Sequence, residues 1–179
     1  MNKNLLITGI PGVGKTTLIR KLASQLDDHN PVGFYTEEIR EKGIRQGFSL
    51  VSFSGERGIL AHVNIAGRQR VGKYGVDMAG FEDFLERMPF FEESTKIIII
   101  DEIGKMECFS QKFKTLLVRI LDSGKIVLAS IAQKGGGLIG EIKLRGDVII
   151  FEITLGNRET IAGDILYAIR PMLNGSRQV

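Results

Sequence analysis

The sequence predicts an α/β fold of three layers, a mostly parallel sheet covered by helices, with an antiparallel meander added to it. Three observations predict it. A strand, a glycine loop and an amphipathic helix follow one another at the start of the chain. Further on, Ile97–Ile100, Ile126–Ala129 and Val148–Ile153 are apolar runs of the kind found in strands buried on both faces. The segment 32–64 is instead cut into short apolar stretches by tight turns.

The first strand is Asn4–Thr8, and past the glycine loop Leu18, Ile19, Leu22, Ala23 and Leu26 recur at helical spacing. From Val32 to Asn64, stretches rich in Phe, Val, Ile and Ser are punctuated by Glu41-Lys42-Gly43 and Ser54-Gly55-Glu56-Arg57-Gly58. These read as antiparallel strands, inserted into the sheet or extending its edge. Phe81, Phe84, Leu85 and Met88 predict a helix from Met78 that Pro89 disturbs. Ser110 is placed to cap a helix running through Asp122 and stopped by Gly124, and Asn157 to cap another reaching Leu173, with Pro171 in its last turn. Gly135-Gly136-Gly137 reads as a mobile turn. Right-handed crossovers between parallel strands complete the layers, so residues 1–179 read as a single domain.

Composition narrows the function classes. A chain of 179 residues, 43% apolar and 25% charged, has the profile of a soluble globular domain. At this length folding buries roughly 70% of the unfolded surface, so no disulfide or metal staple is needed, in keeping with the lone Cys108. The formal charge is +3 without a basic run, so no nucleic-acid partner is expected. No apolar run approaches the roughly 20 residues that cross a bilayer, and the polar start leads into a strand without a signal-peptide core. A cytoplasmic protein with no membrane partner is expected. His29, His62 and Cys108 make no metal-ligand spacing.

The chemistry concentrates in two places. Gly9-Ile10-Pro11-Gly12-Val13-Gly14-Lys15-Thr16 matches G-x-x-x-x-G-K-[ST] at every fixed position and is followed by Thr17 on the helix. Backbone N–H groups wrap a polyphosphate in such a loop, so glycines are needed at 9, 12 and 14, and the helix start points its positive end at the anion. Lys15 is assigned to the β and γ phosphates, and Thr16 to Mg²⁺. The second place is Ile100-Asp101-Glu102, where a buried strand delivers two carboxylates to the sheet edge at which such folds bind ligands. Asp101 is the second candidate for Mg²⁺, and Glu102 is the candidate base that orients the attacking water, which predicts hydrolysis.

The loop Ile103-Gly104-Lys105-Met106-Glu107 should lie on the same edge. Lys105 reads as a phosphate contact or a solvated charge, and Glu107 as a partner of Lys105, an orienter of water, or a second solvated charge. Ser130, at a strand end, reads as a sensor of the γ-phosphate or as filler. Arg68, Arg70 and Lys73 form the densest basic cluster and read as an arginine finger or as solvated surface. Arg158, near a predicted helix start, is a site residue or a weak cap. The Asn/Thr-Lys-x-Asp sequence that reads guanine is absent.

Gly9 to Thr17, Gly33-Phe34-Tyr35-Thr36-Glu37-Glu38, Val71-Gly72-Lys73-Tyr74-Gly75-Val76 and Ile100 to Glu107 together resemble the small P-loop nucleoside-triphosphatase family first described from thermophiles, which has a human member. The resemblance implies Mg²⁺-dependent hydrolysis of ATP, GTP, CTP and UTP to NDP and phosphate with little base preference. It also implies a P-loop core with an extra strand between the phosphate-loop strand and the Asp-Glu strand. The rival it brings is a nucleotide or small-molecule kinase using the same site. By this similarity the Gly33–Glu38 strand and the Arg68–Gly75 stretch move toward the site's rim, and Asp101 to Glu107 become nucleotide contacts. Nucleoside triphosphates are the expected partners of a monomeric chain. The segment from Gln133 to Gly146 departs from the family pattern through its glycine triplet.

Overall fold

Four consecutive isoleucines explain the layering of this protein, whose computed structural model describes residues 3–174. Successive side chains of a strand face opposite ways, so in β7 (Ile97–Ile103) Ile97 and Ile99 fall on one face and Ile98 and Ile100 on the other. The first pair joins a core with α1 (Lys15–Gln25) and α5 (Ile161–Asn174), the second a core with α2 (Met78–Glu86) and α3 (Gln111–Asp122). A strand buried on both faces has no place for a polar residue until it ends, which is where Asp101 and Glu102 stand.

The sheet has nine strands among the described residues. With β1 (Asn4–Thr8), β2 (Val32–Glu41), β3 (Ile44–Ser52), β4 (Arg57–His62), β5 (Arg70–Val71), β6 (Tyr74–Val76), β8 (Ile126–Ile131) and β9 (Val148–Glu152), the order is β5-β6-β4-β3-β2-β7-β8-β1-β9. The run from β2 to β9 is parallel, and the remaining four strands add on antiparallel. β8 therefore separates the phosphate-loop strand β1 from β7, the extra strand that the resemblance implies.

β2 belongs to both parts. Its first residues pair with β7, Phe34 opposite Ile100, and the rest runs on past the edge of the parallel sheet with β3 as the strand it pairs with. Gly33 permits the close start of this pairing. Its φ is +136°, and a Cβ there would stand 1.9 Å from the Ile99 carbonyl oxygen. Phe34 next to it holds α2 down, with edge-on contacts to Phe81 at 6.1 Å and Phe84 at 5.8 Å. Each such pair contributes about 0.5–1.5 kcal/mol beyond its buried area.

The helix ends follow local chemistry. Ser110 caps α3 by accepting from the Phe113 N–H at 3.0 Å while donating to Glu82 at 2.7 Å, and Gly124 takes the left-handed conformation after it. Asn157 does not act as the predicted side-chain cap. Its amide closes a turn instead, accepting from the Thr154 N–H at 2.8 Å and donating to the Glu152 carbonyl at 2.9 Å, and α5 starts four residues later at Ile161. The glycine triplet is followed by a short helix, α4 (Leu138–Lys143), which the sequence reading did not contain. Ile139 and Ile142 bury one face of it, and Lys143 ties it back by donating to the Ala132 and Gln133 carbonyls at 2.6 and 2.7 Å. No described helix is long and apolar enough to cross a membrane.

Candidate active site

The loop between β1 and α1 is shaped by what its glycines allow. Gly12 and Gly14 have φ of +79° and +112°, and a Cβ on Gly9 would lie 2.6 Å from the carbonyl oxygen of Ile153, the residue after β9. Of the residues between them, Val13 packs into the core beneath, whereas Ile10 is 52% exposed. No side chain caps the start of α1, so its first N–H groups are left for an anion.

Lys15 folds back over this loop. Its Nζ donates to the Gly9 carbonyl at 3.2 Å and stands 3.5 Å from a Glu102 carboxylate oxygen, with its side chain 10% exposed. Thr16 Oγ1 donates to Asp101 Oδ2 at 2.6 Å, and Ser130 Oγ donates to the other Asp101 oxygen. The structure thus gives Ser130 a definite task, holding Asp101. It is not filler. Asp101 and Glu102 are adjacent yet do different things because β7 leaves its regular pairing with β8 between Ile100 and Ile103. Asp101 turns inward, 1% exposed, and Glu102 lines the cleft.

Both carboxyls lie above the ordinary carboxylate range. For Asp101 burial is the main cause, outweighing the Ser130 and Thr16 hydroxyls, the Lys15 charge and the Thr36 N–H that favour its ionised form. For Glu102 burial again leads, opposed by Lys15 and reinforced by the charge of Asp101.

In front of these groups opens a cleft of about 650 Å³. One wall is Pro11, Gly12, Gly14–Thr17 and Glu102; the other is Arg20 of α1, Thr36, Glu37 and Glu38 of β2, and Arg45 and Phe48 of β3. The rim role given to the Gly33–Glu38 strand by resemblance thus has a geometric counterpart. Sequence reasoning missed Arg20, Arg45 and Phe48. Arg20 shares α1 with Lys15, but a five-residue step does not place the two on one face, so spacing gave no signal. Arg45 and Phe48 enter only through the β2–β3 pairing, in which Phe48 lies opposite Glu38.

This geometry has close relatives. A family model described as NTPase matches residues 4–166. The chain belongs to this NTPase family. It is similar to the nucleoside-triphosphatase THEP1 of Thermotoga sp. (strain RQ2), 46% identical over 170 residues, which cover 93% of this chain and 95% of that one. It is also similar to the Homo sapiens cancer-related nucleoside-triphosphatase, 39% identical over 188 residues, covering 95% and 98%. The crystal structure of THEP1 from the hyperthermophile Aquifex aeolicus matches the fold with a TM-score of 0.80 at 35% identity, over 92% of this chain and 98% of that one.

Within this NTPase-family fold the loop after Glu102 is a tight turn that makes none of the cleft wall. Ile103 is buried in the core, as is Ile100, Met106 is half-buried, and Lys105 is exposed. Glu107 is not a solvated charge, one of the readings above, because it is 5% exposed. Gly104 makes room for it: a Cβ there would lie 2.9 Å from a Glu107 carboxyl oxygen and 3.1 Å from one of Glu102. Burial pushes the Glu107 carboxyl up to about 8, against the Glu107 and Gly104 N–H groups that favour its ionised form, and the charges of Glu102 and Asp101 push the same way as burial.

Glu107 makes folding pH-dependent. A carboxyl whose pKa is higher folded than unfolded stabilises fully below its unfolded value of about 4.5, and that stability is lost as pH rises toward 8. Between pH 5 and 9 the wild-type Tm is therefore expected to fall more steeply than that of Glu107→Gln, by roughly 4–10 °C. Thermal unfolding across that range checks it, and parallel slopes would refute it.

The basic cluster is elsewhere. Arg68 is exposed, while Arg70 and Lys73 lie in the β5–β6 hairpin at the far edge of the sheet, and none lines the cleft. Arg70 spends its guanidinium on the Ile65 and Lys73 carbonyls at 3.1 and 2.6 Å. Arg158 sits in the turn before α5, paired with Glu159 at 3.3 Å, so it is not at the helix start expected for it.

Proposed function

We propose that this chain hydrolyses nucleoside triphosphates to nucleoside diphosphate and phosphate, using Mg²⁺ and showing little preference among ATP, GTP, CTP and UTP. The observation that carries the reading is the meeting of Lys15 and Glu102 at 3.5 Å on the wall of a cleft of about 650 Å³ that Thr16, bonded to Asp101, also lines. A cation for the polyphosphate and a carboxylate for the attacking water then face the same space. The names of the relatives support the same activity.

The donor set fits the metal. Thr16 and Asp101 offer hard oxygens 2.6 Å apart, which suits Mg²⁺, an ion that binds one or two protein oxygens and takes the rest from phosphate and water. Among the described residues no group of three or more His, Cys, Asp or Glu could hold an ion alone, so Thr16 and Asp101 would hold it together with the substrate. When bound, it neutralises charge on the β and γ oxygens.

The residues of the chain do the rest. Loop N–H groups and Lys15 bind the β and γ phosphates, and Ser130 fixes Asp101. Glu102 accepts a proton from water as the water oxygen bonds to the γ phosphorus, while the bond from that phosphorus to the β–γ bridging oxygen breaks. Phosphate and the diphosphate leave, and the proton on Glu102 returns to solvent. The cleft walls offer charged groups suited to phosphates, and the guanine-reading sequence is absent, which supports the low base preference.

The test is phosphate release from ATP, GTP, CTP and UTP, assayed separately at saturating Mg²⁺ with products resolved by chromatography. Steady phosphate and diphosphate from all four is the expected result. Binding without release would overturn the reading and direct the search to a phosphoryl acceptor, as a kinase requires.

A further inference from the structure

The three cations of the cleft wall each rest on a carboxylate: Lys15 on Glu102, Arg20 on Glu37 at 3.5 Å and Arg45 on Glu38 at 2.8 Å. Two of these carboxylates carry a second arginine that is outside the cleft. Glu37 also holds Arg57 at 3.2 Å, and Glu38 also holds Arg40 at 2.5 Å. An inner arginine can therefore leave for an incoming anion without stranding its carboxylate, because an outer one stays behind to neutralise it.

Of the two, Arg45 stands on the β2–β3 wall, across the cleft from Lys15 and Glu102. β2 pairs with β7 no further than Phe34 opposite Ile100, and the β2–β3 hairpin runs seven residues beyond, to Glu41, roughly 20 Å of strand. Arg45 is on the returning strand of that overhang, opposite Arg40, and lines the cleft whose other wall carries Lys15 and Glu102. Its guanidinium lies over the Phe48 ring at 5.4 Å, and Phe48 is braced edge-on by Tyr74 at 5.3 Å. A planar fork on an aromatic shelf is presented ready for phosphate oxygens. Arg20 stacks on Tyr35 at 4.9 Å, about 7 Å along α1 from Lys15, and also lines a neighbouring groove.

We propose that Arg45 is a catalytic arginine supplied by the same chain, exchanging Glu38 for the γ-phosphate oxygens while Arg40 keeps Glu38 neutral. The inference rests on the hydrolase reading above. As water adds to the γ phosphorus and the bond to the β–γ bridging oxygen breaks, charge spreads over the equatorial oxygens, and Arg45 donates hydrogen bonds to them without itself gaining or losing a proton. It takes the role considered above for Arg68, Arg70 and Lys73, none of which lines the cleft.

The test measures kcat and KM for Mg·ATP in wild type, Arg45→Ala, Arg45→Lys and Glu38→Gln. Arg45→Ala is expected to lower kcat about 10²- to 10³-fold with KM changed less than about fivefold, and Arg45→Lys to recover little of it, because an ammonium lacks the fork. Glu38→Gln releases Arg45 from its present partner and is expected to raise kcat about two- to fivefold, the worth of an exposed ion pair. Equal losses from Glu38→Gln and Arg45→Ala would mean that the pair is a structural clamp and would overturn the proposal, as would an Arg45→Ala kcat within twofold of wild type. Mixing Arg45→Ala with Glu102→Gln chains should restore no activity; recovery on mixing would place the arginine in trans and overturn the same-chain assignment. A wild type that releases no phosphate sinks the hydrolase reading itself, which these outcomes keep separate.

Discussion

Glu102→Gln is expected to slow steady-state phosphate release about 10²- to 10⁴-fold while Mg·NTP binding stays at wild-type strength or tightens. The substitution keeps the side-chain shape and removes the charge. A base acts on the proton of the attacking water, an interaction made mainly in the transition state, so its loss appears in kcat. Binding should not suffer, because Glu102 holds Lys15 at 3.5 Å, and an amide frees that ammonium for the polyphosphate. Quenched-flow phosphate release gives the rate, and calorimetric titration with a non-hydrolysable triphosphate gives the affinity. A variant with near-normal turnover would remove Glu102 from the role, and one that no longer binds would make Glu102 a part of the binding site instead.

What could be read from the sequence depended on how far apart the interacting residues lie along the chain. The phosphate loop was legible because its signature is local: Gly9, Gly14, Lys15 and Thr16 fall within eight positions at the fixed spacing of the motif. The central strand was legible because Ile97–Ile100 declares burial on both faces, and Ser110 because a cap is a three-residue affair. Short or doubly determined elements were not. α4 has a single helical repeat of two isoleucines, too little to outweigh three preceding glycines, and Asn157 had two uses for its amide, of which the turn won. The opposite wall of the cleft was hidden for another reason. Arg45 stands 30 residues from Lys15, and only the register that sets Glu38 beside Phe48 brings the two into one cavity. Charge density misled in the same way: Arg68, Arg70 and Lys73 are close in sequence, but the strand order carries them to the far edge. Glu107 kept a loop charge among its readings because nothing local announces that Gly104 leaves a buried space for its carboxyl.

Lys15→Ala should behave differently from Glu102→Gln. Lysine contacts the phosphates in the ground state and in the transition state, so affinity for Mg·NTP is expected to fall about 10- to 100-fold, the worth of a charge-assisted hydrogen bond, and kcat by at least about 100-fold as well. Part of the lost affinity has an indirect cause. Lys15 is the counter-charge of Glu102, and without it a half-buried carboxylate faces the incoming anion across the same cleft. The two residues must therefore be coupled, as groups in contact are. A chain carrying both Lys15→Ala and Glu102→Gln is expected to bind Mg·NTP more tightly than Lys15→Ala alone while remaining inactive, since the repelling charge is gone but neither the cation nor the base is restored. Equal affinities for the single and double variants would mean that Lys15 acts on the phosphate alone, and that its pairing with Glu102 plays no part in preparing the cleft for substrate.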